Sequence, residues 1–114
     1  MDPDRVFPED PLTFIRQCVG QRKILWTYHV NMRLESRFIP RQVVLDCLGE
    51  AEIIESYPDD KYLPSCLVWS KYEEEVFHIL FAVDVPNGNV RVVTAYRPSP
   101  QDWGADFKTR RRHT

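Results

Sequence analysis

Residues Glu75–Pro98 read EVFHILFAVDVPNGNVRVVTAYRP, two apolar runs joined by Asn87-Gly88. That dipeptide favours positive φ at both loop positions, as a type I′ hairpin turn requires. With Asn87 and Gly88 as the two loop residues, Pro86 faces Asn89. Counting outward sets Asp84 against Arg91, Leu80 against Ala95 and His78 against Arg97. Side chains alternate between the faces of a strand. One face then carries Phe77, Ile79, Phe81 and Val83 with Val92, Thr94 and Tyr96, and is the predicted core. The other carries Val76, His78, Leu80, Ala82 and Asp84 with Arg91, Val93, Ala95 and Arg97. Its apolar middle and charged ends suit a ligand, with His78 and Arg97 at one end.

Upstream of the hairpin, Cys66–Trp69 and Ile53-Ile54 read as two further strands, with Tyr57-Pro58-Asp59-Asp60 as a turn. Before Gly49 the pattern is helical. Asp10 can cap a helix that Pro11 opens and Gly20 ends. Thr27 can cap a second helix over YHVNMRLESRF, and Phe38-Ile39-Pro40 breaks it. Pro40 opens a third helix, Arg41 to about Leu48, with Gly49 after it. Ile24–Trp26 is either a brief strand or the entry to the second helix. Trp103 and Phe107 at i and i+4 can dock a C-terminal segment on the body. The order predicts an α+β fold: N-terminal helices packed on one face of a four-stranded antiparallel sheet, with a short C-terminal helix or tail. A chain of 114 residues makes one domain, residues 1–114, with 1–10 and 108–114 loosely held.

The composition is that of a soluble globular domain. No apolar run approaches the roughly 20 residues that span a bilayer. MDPDRVFPED lacks the features of a secretory signal. The three cysteines, Cys18, Cys47 and Cys66, are widely spaced and fit buried thiols in a reducing cytoplasm. The net charge of −2 hides a segregation. Residues 21–41 sum to about +4 and residues 42–75 to about −7, and Lys108–Arg112 places four bases in five residues. Clustered bases can mark a polyanion-binding face, although charge runs more often only solvate a surface.

No metal or nucleotide motif is present (no GxGxxG, P-loop or HExxH), so no cofactor is expected. What remains is a set of imidazoles and guanidinium groups. On a helix His29, Arg33 and Arg37 fall at i, i+4 and i+8 on one face. His78, Tyr96 and Arg97 lie on the hairpin. Metal-independent RNA cleavage needs a base for the 2′-OH, cations for the phosphorane and an acid for the leaving 5′-oxygen. His29 or His78 can serve as base or acid near neutral pH. Arg33, Arg37 and Arg97 match phosphate oxygens, with Lys108 and Arg110 of the basic tail. Tyr96 can stack on a base or donate a hydrogen bond. Against this, each residue has a structural role open to it. Arg33 and Arg37 could pair with Glu52, Glu55 or Asp59, and Tyr96 could simply pack.

The spacing T-x-H-x-x-x-R-x-x-x-R-x-I at Thr27, His29, Arg33, Arg37 and Ile39 resembles the helical signature of the DUF4258 family. So do Tyr57–Asp60, Tyr62–Val68, VFHILFAVD at Val76–Asp84 and VVTAYRPSPQDW at Val92–Trp103. The resemblance runs from about residue 24 to the basic tail. It implies a relative of RelE-type toxins within the barnase/colicin-like ribonuclease group. It further implies a toxin-like endoribonuclease, acting on mRNA at the ribosome, with a cognate antitoxin that has a zinc-finger domain. By position, His29, Arg33 and Arg37 match the signature helix, His78 the strand histidine, and Thr94 and Tyr96 the T-A-Y strand. The chain departs from the pattern at Ser36-Arg37-Phe38, where members commonly have Glu-Arg-Gly. The rival reading is a non-catalytic module binding protein or RNA through the hairpin face.

Overall fold

The computed structural model describes residues 6–111. The fold is α+β, with three helices and a five-stranded mixed sheet. In chain order these are α1 (Pro11–Gly20), β1 (Ile24–Trp26), α2 (Tyr28–Ser36), α3 (Arg41–Asp46), β2 (Ala51–Tyr57), β3 (Ser65–Tyr72), β4 (Glu75–Asp84) and β5 (Asn89–Tyr96). A 3₁₀ turn, Cys47–Gly49, follows α3. The strands lie in the order β1-β5-β4-β3-β2. The fifth strand is the short run Ile24–Trp26, which pairs parallel with Val90–Val92 at the sheet edge. The expected four antiparallel strands are thus part of a larger sheet, and a strand separates the first two helices.

Local signals account for the helix starts. The Asp10 side chain accepts from Thr13 N at 3.2 Å, with Pro11 at the first helical position. Thr27 Oγ1 accepts from Val30 N at 3.1 Å. The end of α2 closes as a Schellman turn: Ile39 N donates to Leu34 O and Phe38 N to Glu35 O. That turn places Phe38 at φ 57°, in the left-handed region. Glycine is the usual occupant because a Cβ is strained there. Phe38 is also 83% exposed, beside a cleft of about 440 Å³ lined by Leu34, Ile39 and Pro40. Phe38→Gly is therefore expected to stabilise the fold by roughly 0.5–1 kcal/mol net of the extra chain entropy of glycine. Scanning calorimetry should show Tm rising by about 2–6 °C. A lower Tm would mean that the exposed ring holds the α2–α3 corner together.

One face of the sheet holds the main core. Phe77, Ile79, Phe81, Val83, Val90, Val92 and Ala95 cluster there with Ile15 and Cys18 of α1, Val30 and Leu34 of α2, and Val44 of α3. Cys18, Cys47 and Cys66 are all free and buried, as expected. The hairpin departs from the predicted register in two ways. Its loop has four residues, Val85–Gly88, so that Asp84 pairs with Asn89 rather than Arg91. Gly88 N donates to Val85 O at 3.1 Å, and the Asp84 carboxylate accepts from Asn87 N and Nδ2. Further along, a bulge lets Leu80 pair with Thr94 but Phe81 with Val92, leaving Val93 unpaired. The bulge inverts the face order of everything after it. Ala95 joins the core, while Thr94 and Tyr96 move to the outer face beside Leu80 and His78.

The outer face is half covered by the C-terminal segment. No helix forms there: residues 99–111 turn back on themselves through a Trp103–Arg110 bridge. Trp103 docks as expected, at 2% exposure. The expectation of loosely held ends covers residues 1–10 and 108–114. Phe7 packs on the core, and Arg111 Nε donates to Pro100 O and Trp103 O. Residues 1–5 and 112–114, the remainder of that expectation, lie outside the described residues. Among the described residues no helix is long and apolar enough to cross a membrane.

Candidate functional site

His78 sits on the outer sheet face but is 0% exposed. Its Nε2 lies 2.7 Å from Phe107 O, and its Nδ1 lies 3.2 Å from the Tyr96 hydroxyl. A carbonyl only accepts, so Nε2 carries the proton and Nδ1 accepts from the phenol. Trp103 closes the pocket edge-on, with ring centroids 4.4 Å apart. Burial holds the imidazole below its ordinary pKa and pushes the Tyr96 phenol above its own. His78 is thus a neutral, fully bonded pin between β4, β5 and the C-terminal segment. It has no open edge for a substrate proton.

The expected partnership of His78 with Arg97 fails for the reason the bulge gives. His78 pairs with Tyr96, and Arg97 falls on the helix side, its guanidinium 5.1 Å from the Phe77 ring. Arg97 Nε donates to Glu75 at 2.9 Å, and Nη1 and Nη2 donate to Arg37 O and Phe38 O. It therefore binds the carbonyls at the end of α2. Arg37 is engaged as well, Nη1 donating to Thr94 Oγ1 at 3.0 Å and Ala95 O at 2.8 Å. The two tail bases pair with β2. Lys108 Nζ lies 2.8 Å from Glu52, and Arg110 forks onto Glu55 at 2.9 and 3.1 Å. Arg110 holds the Glu55 carboxyl below its ordinary pKa, with Tyr57 donating to the same carboxylate. Burial, and next that carboxylate, push the Tyr57 phenol up to about 12. Lys108 and Arg110, expected to grip phosphate, thus both bond to carboxylates within the fold.

His29 and Arg33 are different. Both are exposed, and neither side chain makes a hydrogen bond or ion pair with another described residue. One turn apart on α2, they precede Arg37 on the same side of the helix. β1 ends with Trp26 beside Val92, and Arg37 reaches Thr94 and Ala95. Helix α2 therefore runs along β5 where β1 has stopped. The His29–Arg33 stripe borders the outer face near Val93, the bulged residue, which is 41% exposed. Thr27 at the start of this helix lines a cleft of about 420 Å³ with Tyr62, Ala82, Arg91 and Val93. Beyond Asp60, which both clefts share, a second of about 620 Å³ is lined by Tyr57, Asp59 and Leu80.

The structure thus brings His78 to Tyr96, and Arg37 to Thr94. Arg97 joins Arg37 by donating to its carbonyl, and Arg110 stacks over the Trp103 ring that closes on His78, whereas the side chains of His29 and Arg33 make no bond to any of these residues. Among the described residues no group of three His, Cys, Asp or Glu side chains could hold a metal ion. The residues that sequence reasoning passed over are Arg91, Tyr57 and Tyr62. Their signal was two tyrosines flanking an acidic turn, opposite an unpaired basic residue on the hairpin.

No curated protein and no solved structure matches this chain. Residues 26–97, from the end of β1 to just past β5, match the family described as domain of unknown function (DUF4258). The match takes in α2, the acidic turn, and the hairpin with its bulge, and it covers more than half of the chain. On that extent the protein belongs to the DUF4258 family.

Proposed function

We propose that the chain is a toxin-like ribonuclease that binds single-stranded RNA along the border between α2 and the open half of the outer sheet face. His29 is the general base, taking the proton of a 2′-OH, and solvent returns a proton to the leaving 5′-oxygen. Arg33 stabilises the charge that builds on the phosphate. The observation that carries the reading is the pair itself: an accessible imidazole and an unpaired guanidinium one turn apart on α2, the helix whose capping residue Thr27 lines a cleft walled by Tyr62. Such a site is one that a small acidic protein partner, such as a cognate antitoxin, would silence by covering α2. The test is incubation of end-labelled single-stranded RNA with the purified chain in EDTA. Cleavage with 2′,3′-cyclic phosphate ends is expected, and loss of it in Arg33→Ala. Intact RNA, with and without ribosomes, would remove the enzyme.

A second reading has its own support. Arg37, Arg97, Lys108 and Arg110 are all engaged within the fold, which leaves few cations for catalysis. That favours a non-catalytic RNA- or protein-binding module. Salt distinguishes the partners: RNA binding through two or three phosphates weakens by about 5- to 50-fold between 50 and 200 mM salt, whereas an apolar protein contact changes little.

A further inference from the structure

The loop after β2, residues 58–64, lies between two adjoining clefts on the open half of the outer face, which share Asp60. In each, an apolar floor faces a tyrosine: Leu80 with Tyr57 in one, Ala82 and Val93 with Tyr62 in the other. Leu80 and Ala82 are successive outer-face positions of β4, about 7 Å apart at strand rise. Charge is divided across the clefts. Asp59 lies on the loop side, exposed, and its carboxylate makes no bond with another described residue. Arg91, equally unpaired, lies on the β5 side, and Thr27 at the start of α2 completes the wall next to it. Tyr62 is 84% exposed, although its ring is large and apolar, with Lys61 Nζ 5.3 Å from its centroid.

From this arrangement we infer that the two clefts are subsites for two consecutive unstacked bases of the RNA strand, Tyr62 and Tyr57 each stacking on one of them. The inference rests on the RNA reading above and says where the bases go. The charge division sets the polarity. Phosphates run on the Arg91 and α2 side, within reach of His29 and Arg33, and bases point toward the loop. A backbone on the opposite side would meet Asp59. The same carboxylate only accepts, so it favours a base whose edge donates. Adenine, cytosine and guanine each offer an exocyclic amino group, whereas uracil offers only its ring N3–H, held between two carbonyl oxygens that repel a carboxylate. The Tyr57 cleft is accordingly selective for amino-bearing bases, and the Tyr62 cleft is tolerant, since stacking alone reads no edge.

The probes are 2′-O-methylated hexamers of C, A and U with a fluorescent end label, which lack the nucleophile and so cannot be cleaved. Fluorescence anisotropy with the full chain at low salt should rank C and A above U. Tyr62→Ser, at a position too exposed to affect folding, should weaken all three about tenfold, and Tyr57→Leu should weaken C and A. Asp59→Asn should abolish the preference over U while C still binds. Hexamers that bind wild type and the tyrosine variants equally would overturn the base subsites and leave the RNA reading standing. Hexamers that fail to bind wild type at all would remove both.

Discussion

On the proposed ribonuclease reading, His29→Ala is expected to lower RNA cleavage by about 10²- to 10⁴-fold, the usual contribution of a positioned general base, and to leave the unfolding free energy near that of the parent. His78→Ala does the opposite. It removes a fully buried ring and leaves the Phe107 carbonyl and the Tyr96 hydroxyl without their partner. Cavity formation and two orphaned polar groups together cost about 3 kcal/mol. Urea titration followed by tryptophan fluorescence reads that loss, and on the same reading cleavage per folded molecule should be unchanged. If His78→Ala instead kept its stability and lost cleavage, the outer face would have to open in solution and the roles of the two histidines would exchange.

The same contrast has a pH signature. Burial lowers the folded-state pKa of His78 below its ordinary value of 6.5. Above that value both folded and unfolded chains hold it neutral, and it contributes nothing to a pH slope. As pH falls below it, the unfolded chain takes up a proton that the folded one refuses, so stability declines. The decline continues until the lower folded-state pKa is passed. Glu55 acts in a separate window. Its carboxyl is lowered from 4.5 by Arg110, so its contribution is present above that value and is lost below it. Unfolding free energies measured between pH 7 and 5 therefore isolate the histidine, and the slope there should vanish in His78→Gln.

The misplaced hairpin face shows what could be read from sequence and what could not. The Asn-Gly pair predicts a type I′ turn, but the residue before it argued otherwise. In a two-residue loop Pro86 would flank the turn as a ladder position, where it has no N–H to offer. Proline fits the second position of a type I turn, with glycine at the fourth, and that is the loop seen, Gly88 at φ 66°. This correction was available in the sequence. The bulge at Val93 was not, because Val92-Val93 are equally apolar and nothing local says which one drops out of the ladder. The loop shifts the register by two and keeps each side chain on its face, so it is the bulge alone that exchanges the faces of Tyr96 and Arg97 and moves two candidate site residues. The helix caps were legible because each depends on neighbours within three residues. The pairing of Arg110 with Glu55 was legible only as opposite charge on two regions, since the partners are 55 residues apart. His29 and Arg33 could be placed together from helical period alone, and it is they that remain free.

Trp103→Ala is expected to release the C-terminal segment from the sheet, at a cost of about 3–5 kcal/mol for a buried indole. The ring is 2% exposed, packs edge-on against His78, and carries the Arg110 guanidinium 4.5 Å from its centroid. Without it, the bridge to Arg110 and the ion pairs of Lys108 and Arg110 with β2 lose the anchor that aligns them. Solvent then reaches His78. Because burial is the leading reason for its low pKa, its titration should move up toward the ordinary value. The imidazole Cε1–H signals follow this directly by NMR: in the parent His78 should titrate below the ordinary value, and in Trp103→Ala its titration should shift up toward it. Lys108→Ala and Arg110→Ala guard against an unfolded variant, since each removes an exposed ion pair worth little and keeps the indole in place. Their His78 signal should stay close to the parent's. A His78 that remained depressed in a folded Trp103→Ala would show that the β3 and β4 neighbours alone desolvate it. The C-terminal segment would then be a surface strap rather than the second wall of the outer layer.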